Sequence, residues 1–411
     1  HVRRRKMKNP YQKTIYACFT GYIVQAIVNN FAPLLFVMFH ENYGIPMEKI
    51  TLLITFNFGL QLLVDLLSVG FVDRIGYRAS MLLAHVLAAA GLLSMTVLPG
   101  IFGDPFTGLL VSVIIYAVGG GLLEVLVSPV MESCPSDNKE KAMSLLHSFY
   151  CWGHVGVVLI STVFFRAVGI GYWPVLAGIW ALIPLINAAV FTKVPIAPLM
   201  EEGEKGIPLR QLVSMKMFWG LLIMMVCAGA SEQAVSQWAS SLAESSLGLS
   251  KTAGDLAGPM MFAVMMGLGR AFYGKKGDQI NLEHFMKWSG MLCIISYLLI
   301  AFSPIASLGL AGCALCGLSV GIMWPGTFSI ASAAMKRGGT ALFALLALGG
   351  DVGCSLGPTV AGQVSGWLGD DLRAGILAAI IFPVMLLAAL TVKGNVDKAR
   401  AHRVVTDEAA F

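Results

Sequence analysis

Long apolar stretches, separated by short polar segments, run along almost the whole chain. A helix that crosses a membrane needs about 20 predominantly apolar residues in succession. Twelve stretches reach this length with few charged residues, and they predict twelve transmembrane helices. The predicted spans are 14–39, 47–72, 79–101, 106–133, 141–168, 172–193, 212–242, 252–274, 284–304, 306–334, 338–368 and 372–393. The pattern therefore predicts an all-α integral membrane protein.

Composition supports this prediction, since 57% of the 411 residues are hydrophobic and only 12% are charged. A soluble domain of this size would aggregate with so few charges. The Lys and Arg residues are also distributed unevenly. All but four of the 28 lie in the two tails or near the loops that follow even-numbered spans; the exceptions are Lys49, Arg166, Lys251 and Arg373. Because short cytoplasmic loops hold the excess of basic residues, we expect both termini to be cytoplasmic, in a plasma (inner) membrane. The net charge of +5 is then explained without a nucleic-acid partner.

One internal segment, rich in proline, glycine and charge, divides the predicted spans six and six. The domain prediction follows from it. It consists of a basic cytoplasmic tail (1–13), a six-helix bundle (14–193), a cytoplasmic linker (194–211), a second six-helix bundle (212–393) and a cytoplasmic tail (394–411).

The two halves contain similar short segments in the same order, which indicates an internal repeat. Segment 21–29 in span 1 resembles 229–237 in span 7. A glycine eight residues before a proline occurs in span 4 and again in span 10, as Gly121 and Gly317. Segment 153–156 in span 5 resembles 350–353 in span 11. We expect two pseudo-symmetric bundles around a central cavity.

Acidic residues inside these spans are rare and expensive, which makes each of them a candidate functional residue. Glu124, Glu232 and Asp351 fall near mid-membrane, and the topology brings no Lys or Arg to that depth beside Glu124. We predict that Glu124, with Asp351 as a second group, carries a coupling proton. Asp65 lies about 12 Å along its helix from the cytoplasmic end, and we expect it in a cytoplasmic charge network.

Amide, imidazole and indole side chains occur at a similar depth. Amides and carboxylates flanked by indoles suit a polyhydroxylated solute, because hydroxyls need paired donors and acceptors while C–H faces pack on aromatic rings. Such side chains also serve as interhelical contacts, so both roles are open for each of them. The predicted solute-binding residues are Gln25, Asn29, Asn30, Asn57, Gln61, Trp152, His154, Glu232, Gln233, Gln237, Trp238 and Trp324.

The eight cysteines lie mostly within spans and form neither a disulfide framework nor a pattern of metal ligands. We expect no cofactor and no metal. A proton is the expected coupling ion, with sodium as the alternative.

At these residues the chain resembles the major facilitator superfamily, whose members pack two six-helix bundles around a central site and transport by alternating access. The segment 73–78 is similar to the second half of that superfamily's cytoplasmic loop signature, although Val69 stands where the signature has its first glycine. The resemblance implies that Asp73, Arg74, Gly76 and Arg78 take part in cytoplasmic gating.

Within that superfamily, segment 121–129 resembles the span 4 signature of the fucose permease branch, in which a glutamate five residues before a proline is linked to proton-coupled sugar uptake. Asn29 and Asn30 are similar to that branch's asparagine pair, but Pro33 replaces the acidic residue that follows the pair. A rival signal, Gly353 to Gly362, looks like the glycine-proline motif of drug exporters, but it lies in span 11 instead of span 5.

The sequence therefore predicts a transporter, acting as a monomer in the lipid bilayer, that moves a sugar or similar small polar solute with protons. Sodium-coupled symport and proton-antiporting export remain alternatives. An enzyme would need catalytic groups clustered near one interface, and a receptor would need a substantial soluble domain. The sequence shows neither pattern.

Overall fold

The computed structural model describes residues 9–135, 139–197, 207–335 and 339–408, and this part of the chain is almost entirely helical. Twelve of its helices are long and apolar enough to cross a membrane, which confirms the predicted fold class. They are α1 (Gln12–Tyr43), α2 (Met47–Ser68), α3 (Tyr77–Ile101), α4 (Pro105–Ser133), α5 (Leu145–Val168), α6 (Ile170–Phe191), α7 (Lys216–Ser246), α8 (Lys251–Lys276), α9 (Leu282–Phe302), α10 (Ala306–Ala331), α11 (Ala344–Trp367) and α12 (Leu372–Asn395). Parts of both predicted tails and of the predicted linker lie outside the described residues.

The chain forms two compact units. The first comprises residues up to 45 together with 56–203, and the second comprises 46–55 together with the residues from 204 onward. In the first unit α1 packs on α5, while α3 packs on α4 and α6. The equivalent helices of the second unit have the same neighbours, because α7 packs on α11 while α9 packs on α10 and α12. The neighbours of these helices are therefore the same in the two units.

Glycines bring the paired helices close together. A Cβ atom at Gly153 of α5 would lie 3.0 Å from the Ala26 side chain of α1. At Gly353 of α11 it would lie 1.9 Å from the Val226 carbonyl oxygen of α7. Lipid is as apolar as a leucine side chain, so helices in a membrane associate through such close packing of small residues. Helix packing therefore explains the glycines of the exporter-like segment in span 11.

Two equivalent helices, α1 and α7, are interrupted at equivalent positions. The regular helix of α1 ends at Asn30 and is followed by a 3-10 turn at Ala32–Leu35, which contains Pro33. The first part of α7 ends at Ser236, and helical structure resumes at Ala239. In α1 the interruption follows the repeated segment 21–29, and in α7 it begins at the last residue of the matching segment 229–237. Irregular backbone at membrane depth leaves backbone groups for side chains, water or a ligand to satisfy.

An ionic network that the sequence did not reveal joins the ends of α7 and α8 nearest the loop between them. Lys251 Nζ lies 2.9 Å from Asp255 Oδ2 and 2.9 Å from Ser240 Oγ, and Glu244 is 3.7 Å away. Asp255 is fully buried. Both helices contain a π-helical turn here, Leu242–Ser246 in α7 and Leu256–Met260 in α8. The network ties together two segments that depart from regular α-helical hydrogen bonding.

Replacing Lys251 by Met should destabilise the protein, because it leaves the buried carboxylate of Asp255 without its cation. Breaking a buried ion pair costs about 3 to 5 kcal/mol, so we expect a clear fall in the melting temperature of purified protein in detergent. Arg166→Met, which removes an exposed cation near the end of α5, is the matched control. Lys251→Met/Asp255→Leu should recover part of the loss. Equal melting temperatures for Lys251→Met and Arg166→Met would show that the network contributes nothing.

Candidate functional site

In the first unit, four of the predicted amides form one buried cluster. Asn29 Oδ1 accepts hydrogen bonds from Asn57 Nδ2 at 3.1 Å and from Gln61 Nε2 at 2.7 Å. Gln61 also donates to Asn57 Oδ1 at 3.0 Å. The Tyr150 hydroxyl of α5 accepts from Nδ2 of both Asn29 and Asn30, at 3.3 Å each. Side chains from α1, α2 and α5 therefore meet in one hydrogen-bonded network.

Tyr150 is not among the residues that the sequence predicts for the site. A tyrosine within an apolar run is usually a packing residue, and only its spatial position shows that its hydroxyl joins two asparagines. Two other predicted residues lie one helical turn from the cluster on their own helices. Gln25 precedes Asn29 by four residues and His154 follows Tyr150 by four, and both are buried.

The cluster continues along α2 to a pair of carboxyl groups. Asn57, Gln61 and Asp65 are spaced four residues apart and therefore share one face of α2. On α4, Glu124 lies one turn beyond Gly120 and Gly121. A Cβ atom at Gly121 would lie 3.0 Å from the Gln61 Cα atom, so α4 approaches α2 closely at this point. Carboxylate oxygens of Asp65 and Glu124 consequently lie within 4.8 Å of one another.

For Asp65 the structure adds a neighbour that the sequence does not predict, and its place in a cytoplasmic charge network stays a prediction. Counting residues along α2 gave its distance from the helix end, and that distance suggested a cytoplasmic charge network. The close approach of α4 makes Asp65 a neighbour of Glu124. Depth along a single helix does not reveal which other helix faces it.

A second polar contact lies one turn from Glu124 on α4. The Tyr22 and Ser128 hydroxyls are 2.6 Å apart, joining α1 to α4. Tyr22 is close enough to Glu124 for the two to interact electrostatically. The ring of His147 lies 5.4 Å from that of Tyr22, and His147 is exposed. Polar groups therefore extend from the carboxyl pair to an exposed histidine.

In the second unit, three predicted residues of α7 form a line. Gln237 Nε2 donates to Gln233 Oε1 at 3.0 Å, and Gln233 Nε2 donates to Glu232 Oε1 at 3.1 Å. All three side chains are buried. Arg270 of α8 lies 3.7 Å from the other oxygen of Glu232. From the sequence, Arg270 is counted among the basic residues near a cytoplasmic loop, and no acidic partner on α7 is predicted for it.

The three predicted indoles occupy different surroundings. Trp238 is fully buried and donates its Nε1–H to the Pro358 carbonyl at 2.9 Å. Trp324 packs against Gly350, the residue before the buried Asp351, because a Cβ atom at Gly350 would overlap its ring. Trp152 is 46% exposed. It shares a helical face with apolar side chains such as Leu159, which are also exposed. A solute-binding role for the three remains a prediction.

Of the predicted gating residues, Arg78 has the clearest structural role. Its Nη1 atom donates to the carbonyls of Phe191 and Val194, at 2.6 Å and 2.9 Å, and so satisfies backbone groups at the end of α6. Gly76 has a φ of 86° immediately before α3, a conformation that glycine adopts without strain. Arg74 is exposed, and the Asp73 side chain lies outside the described part of the structure. Their participation in gating stays a prediction.

The chain belongs to the major facilitator superfamily, whose family model matches residues 17–358. Members of this family are transporters, and the protein is therefore a multi-pass membrane transporter. No curated protein matches the chain in sequence.

Solved transporter structures share the fold over nearly their whole length. A bacterial homologue of the human lysosomal transporter Spinster, in an inward-facing and occupied conformation, aligns over 95% of this chain and 98% of its own, with a TM-score of 0.76 and 13% identity. A D-xylose-proton symporter aligns over 92% of this chain and 96% of its own, with a TM-score of 0.73 and 13% identity. A variant of the E. coli fucose:proton symporter aligns over 93% of this chain and 98% of its own, with a TM-score of 0.62 and 15% identity. Identities this low establish a common fold and leave the solute open.

Replacing Tyr150 by Phe should destabilise the amide cluster, because both asparagines then lose a buried acceptor. An orphaned buried donor costs about 1 to 3 kcal/mol, so we expect a lower melting temperature. Tyr172→Phe removes the hydroxyl of a tyrosine that is 59% exposed and should change little. If Tyr150→Phe and Tyr172→Phe have the same melting temperature, the stability of the cluster does not depend on the Tyr150 hydroxyl.

Proposed function

We propose that the protein is a proton-coupled symporter that imports a sugar or a similar small polar solute by alternating access. The observation that carries the proposal is the pair of carboxyl groups, Asp65 and Glu124, within membrane-spanning helices and beside the amide cluster. Two ionised carboxylates within 4.8 Å of one another would repel by at least about 3.5 kcal/mol at an effective dielectric constant of about 20. Sharing one proton removes this repulsion.

A shared proton gives a simple coupling cycle. When the pair is closed off from water, the neutralised form is favoured, because an ionised group in an apolar span is costly. When water reaches the pair, hydration stabilises the second charge and the proton can leave. Tyr22, Ser128 and the exposed His147 provide polar groups along which a proton could exchange with the solvent. A solute that closes the site would thus be transported together with the proton.

The solute class is inferred from the side chains and from the structural relatives. The amides of α1, α2 and α7 offer donors and acceptors in pairs, which suits hydroxyl groups. Two of the transporters with the same fold are described as sugar-proton symporters. A drug exporter would be expected to have a more apolar and aromatic site. The uneven distribution of basic residues supports cytoplasmic termini in a plasma (inner) membrane.

Uptake into proteoliposomes would test the proposal. A panel of labelled sugars would be offered with an imposed proton gradient, and in a second arm with a sodium gradient. Glu124→Gln should abolish accumulation driven by the proton gradient, because a carboxamide cannot carry the proton. Exchange of solute between the two sides should persist, because exchange requires no net proton movement. Glu132→Gln, which changes an exposed acid at the end of α4, is the matched control and should accumulate solute like the wild type.

Each contrary result would refute a separate part of the proposal. If Glu124→Gln still concentrates solute in response to a proton gradient, Glu124 does not carry the proton. Accumulation driven by sodium alone would replace the proton as the coupling ion. If no sugar in the panel enters, the solute class is wrong.

A further inference from the structure

Arg270 is a cation inside a membrane span, and the proton coupling proposed for Asp65 and Glu124 gives it no role. It lies six residues before Lys276, the end of α8, which is roughly 9 Å along the helix. Its side chain is only 26% exposed. Arginines at such positions are costly and rare, and they usually mark a functional pathway.

Close packing between α8 and α10 fixes the backbone of Arg270. A Cβ atom at Gly317 of α10 would lie 2.2 Å from the Phe262 carbonyl oxygen, and one at Gly321 would lie 3.0 Å from that of Met266. Gly317 and Gly321 are four residues apart, and so are Phe262, Met266 and Arg270, so matching faces of the two helices meet. The approach of two backbones leaves Arg270 little freedom to move away from α10.

The helix of α10 is interrupted where it meets Arg270. Regular helix ends at Val320 and resumes at Met323. Arg270 Nε donates to the Gly321 carbonyl at 3.3 Å, so the guanidinium satisfies a backbone group at the interruption. In the repeat, Gly321 corresponds to Val125, the residue after Glu124. At equivalent places the first unit therefore has an acid and the second has an interrupted helix that contacts a cation.

From Arg270 the contacts continue through Glu232 into the amides of α7. Glu232 lies 3.7 Å from the guanidinium through Oε2 and accepts from Gln233 through Oε1. Gln233 in turn accepts from Gln237, the residue at which α7 is interrupted. Because Gln233 donates to the acid, its carbonyl oxygen is directed toward Gln237. The position of Glu232 therefore sets the orientation of both amides.

We propose that Arg270 is a positioning residue for the solute-binding groups of the second unit, and that these groups are specific for a neutral hydroxylated solute over a sugar acid. Arg270 holds Glu232 in place and balances its charge, and Glu232 orients Gln233 and Gln237. The carboxylate is an acceptor for hydroxyl hydrogens, and because Arg270 is engaged with that carboxylate and with the Gly321 carbonyl, an anionic substituent gains no cationic partner from it. A guanidinium can contact the Gly321 carbonyl and Glu232 at once, which the point charge of a lysine does less well. The proposal rests on the proposed function, because it assumes that the amides of α7 contact the solute.

The test is the initial rate of uptake of a neutral labelled sugar that the wild type transports, measured as a function of its concentration. Arg270→Gln should raise KM about tenfold or more with kcat changed by less than about threefold, because it disturbs binding groups and leaves the carboxyl pair intact. Arg270→Lys should give an intermediate KM. Arg270 and Glu232 act through their contact with one another. The double variant Arg270→Gln/Glu232→Gln should therefore have the KM of Glu232→Gln alone, and the two single increases in KM should not multiply. This double variant also restores neutrality, so it remains informative if Arg270→Gln folds poorly.

Two further measurements complete the experiment. Lys275→Gln removes an exposed cation in the last turn of α8 and should leave KM unchanged. The uronate derived from the transported sugar should compete poorly with it for wild-type uptake.

The inference is overturned if Arg270→Gln leaves KM unchanged, if it lowers kcat alone, if the single effects multiply, or if the uronate competes as well as the neutral sugar. Failure of the proposed function would look different. In that case the wild type itself would take up no sugar, or would accumulate it without regard to the proton gradient.

Discussion

The hydrocarbon core of a membrane offers no water to a polar side chain, so each polar or charged group in a span must be satisfied by the protein. This constraint governs both units of the transporter. In the first, the carboxyl groups of Asp65 and Glu124 lie together beside a cluster of amides that satisfy one another. In the second, Glu232 lies between a guanidinium and an amide. The two units thus satisfy buried acidic groups in different ways, although their helices are related by the repeat.

Close packing of helices makes both arrangements possible. Gly121 lets α4 approach α2, and as a result Glu124 lies near Asp65. Gly317 and Gly321 do the same for α10 and α8, and as a result Arg270 lies against an interrupted helix. In water such contacts would be supported by the hydrophobic effect, but in lipid they depend on how closely backbones fit together. Gly121 and Gly317, which correspond in the repeat, are therefore part of the site's construction as well as of its fold.

The sequence predicted the twelve helices and the fold class closely, because apolar runs of about twenty residues are a property of local composition. It also singled out Glu124 and the amides of α1 and α7, since polar residues in apolar runs are conspicuous. It could not predict which helices face one another, so it did not reveal that Asp65 lies near Glu124 of α4. Arg270 was missed because its backbone lies near a basic helix end while its long side chain reaches Glu232. The network of Lys251 and Asp255 was missed because both residues lie at the beginning of α8, beside a loop, where charged residues are common.

The central claim is that Asp65 and Glu124 bind one proton as a pair, and infrared difference spectroscopy of the purified protein tests it most directly. The C=O stretch of a protonated carboxyl group is distinct from that of a carboxylate. At neutral pH the wild type should show one such band from the pair, and raising the pH should remove it. Asp65→Asn and Glu124→Gln should each abolish the band, because either change relieves the repulsion that holds the proton on the pair. If the band survives in Asp65→Asn, or if no protonated carboxyl is lost in Glu124→Gln, the two groups do not share a proton.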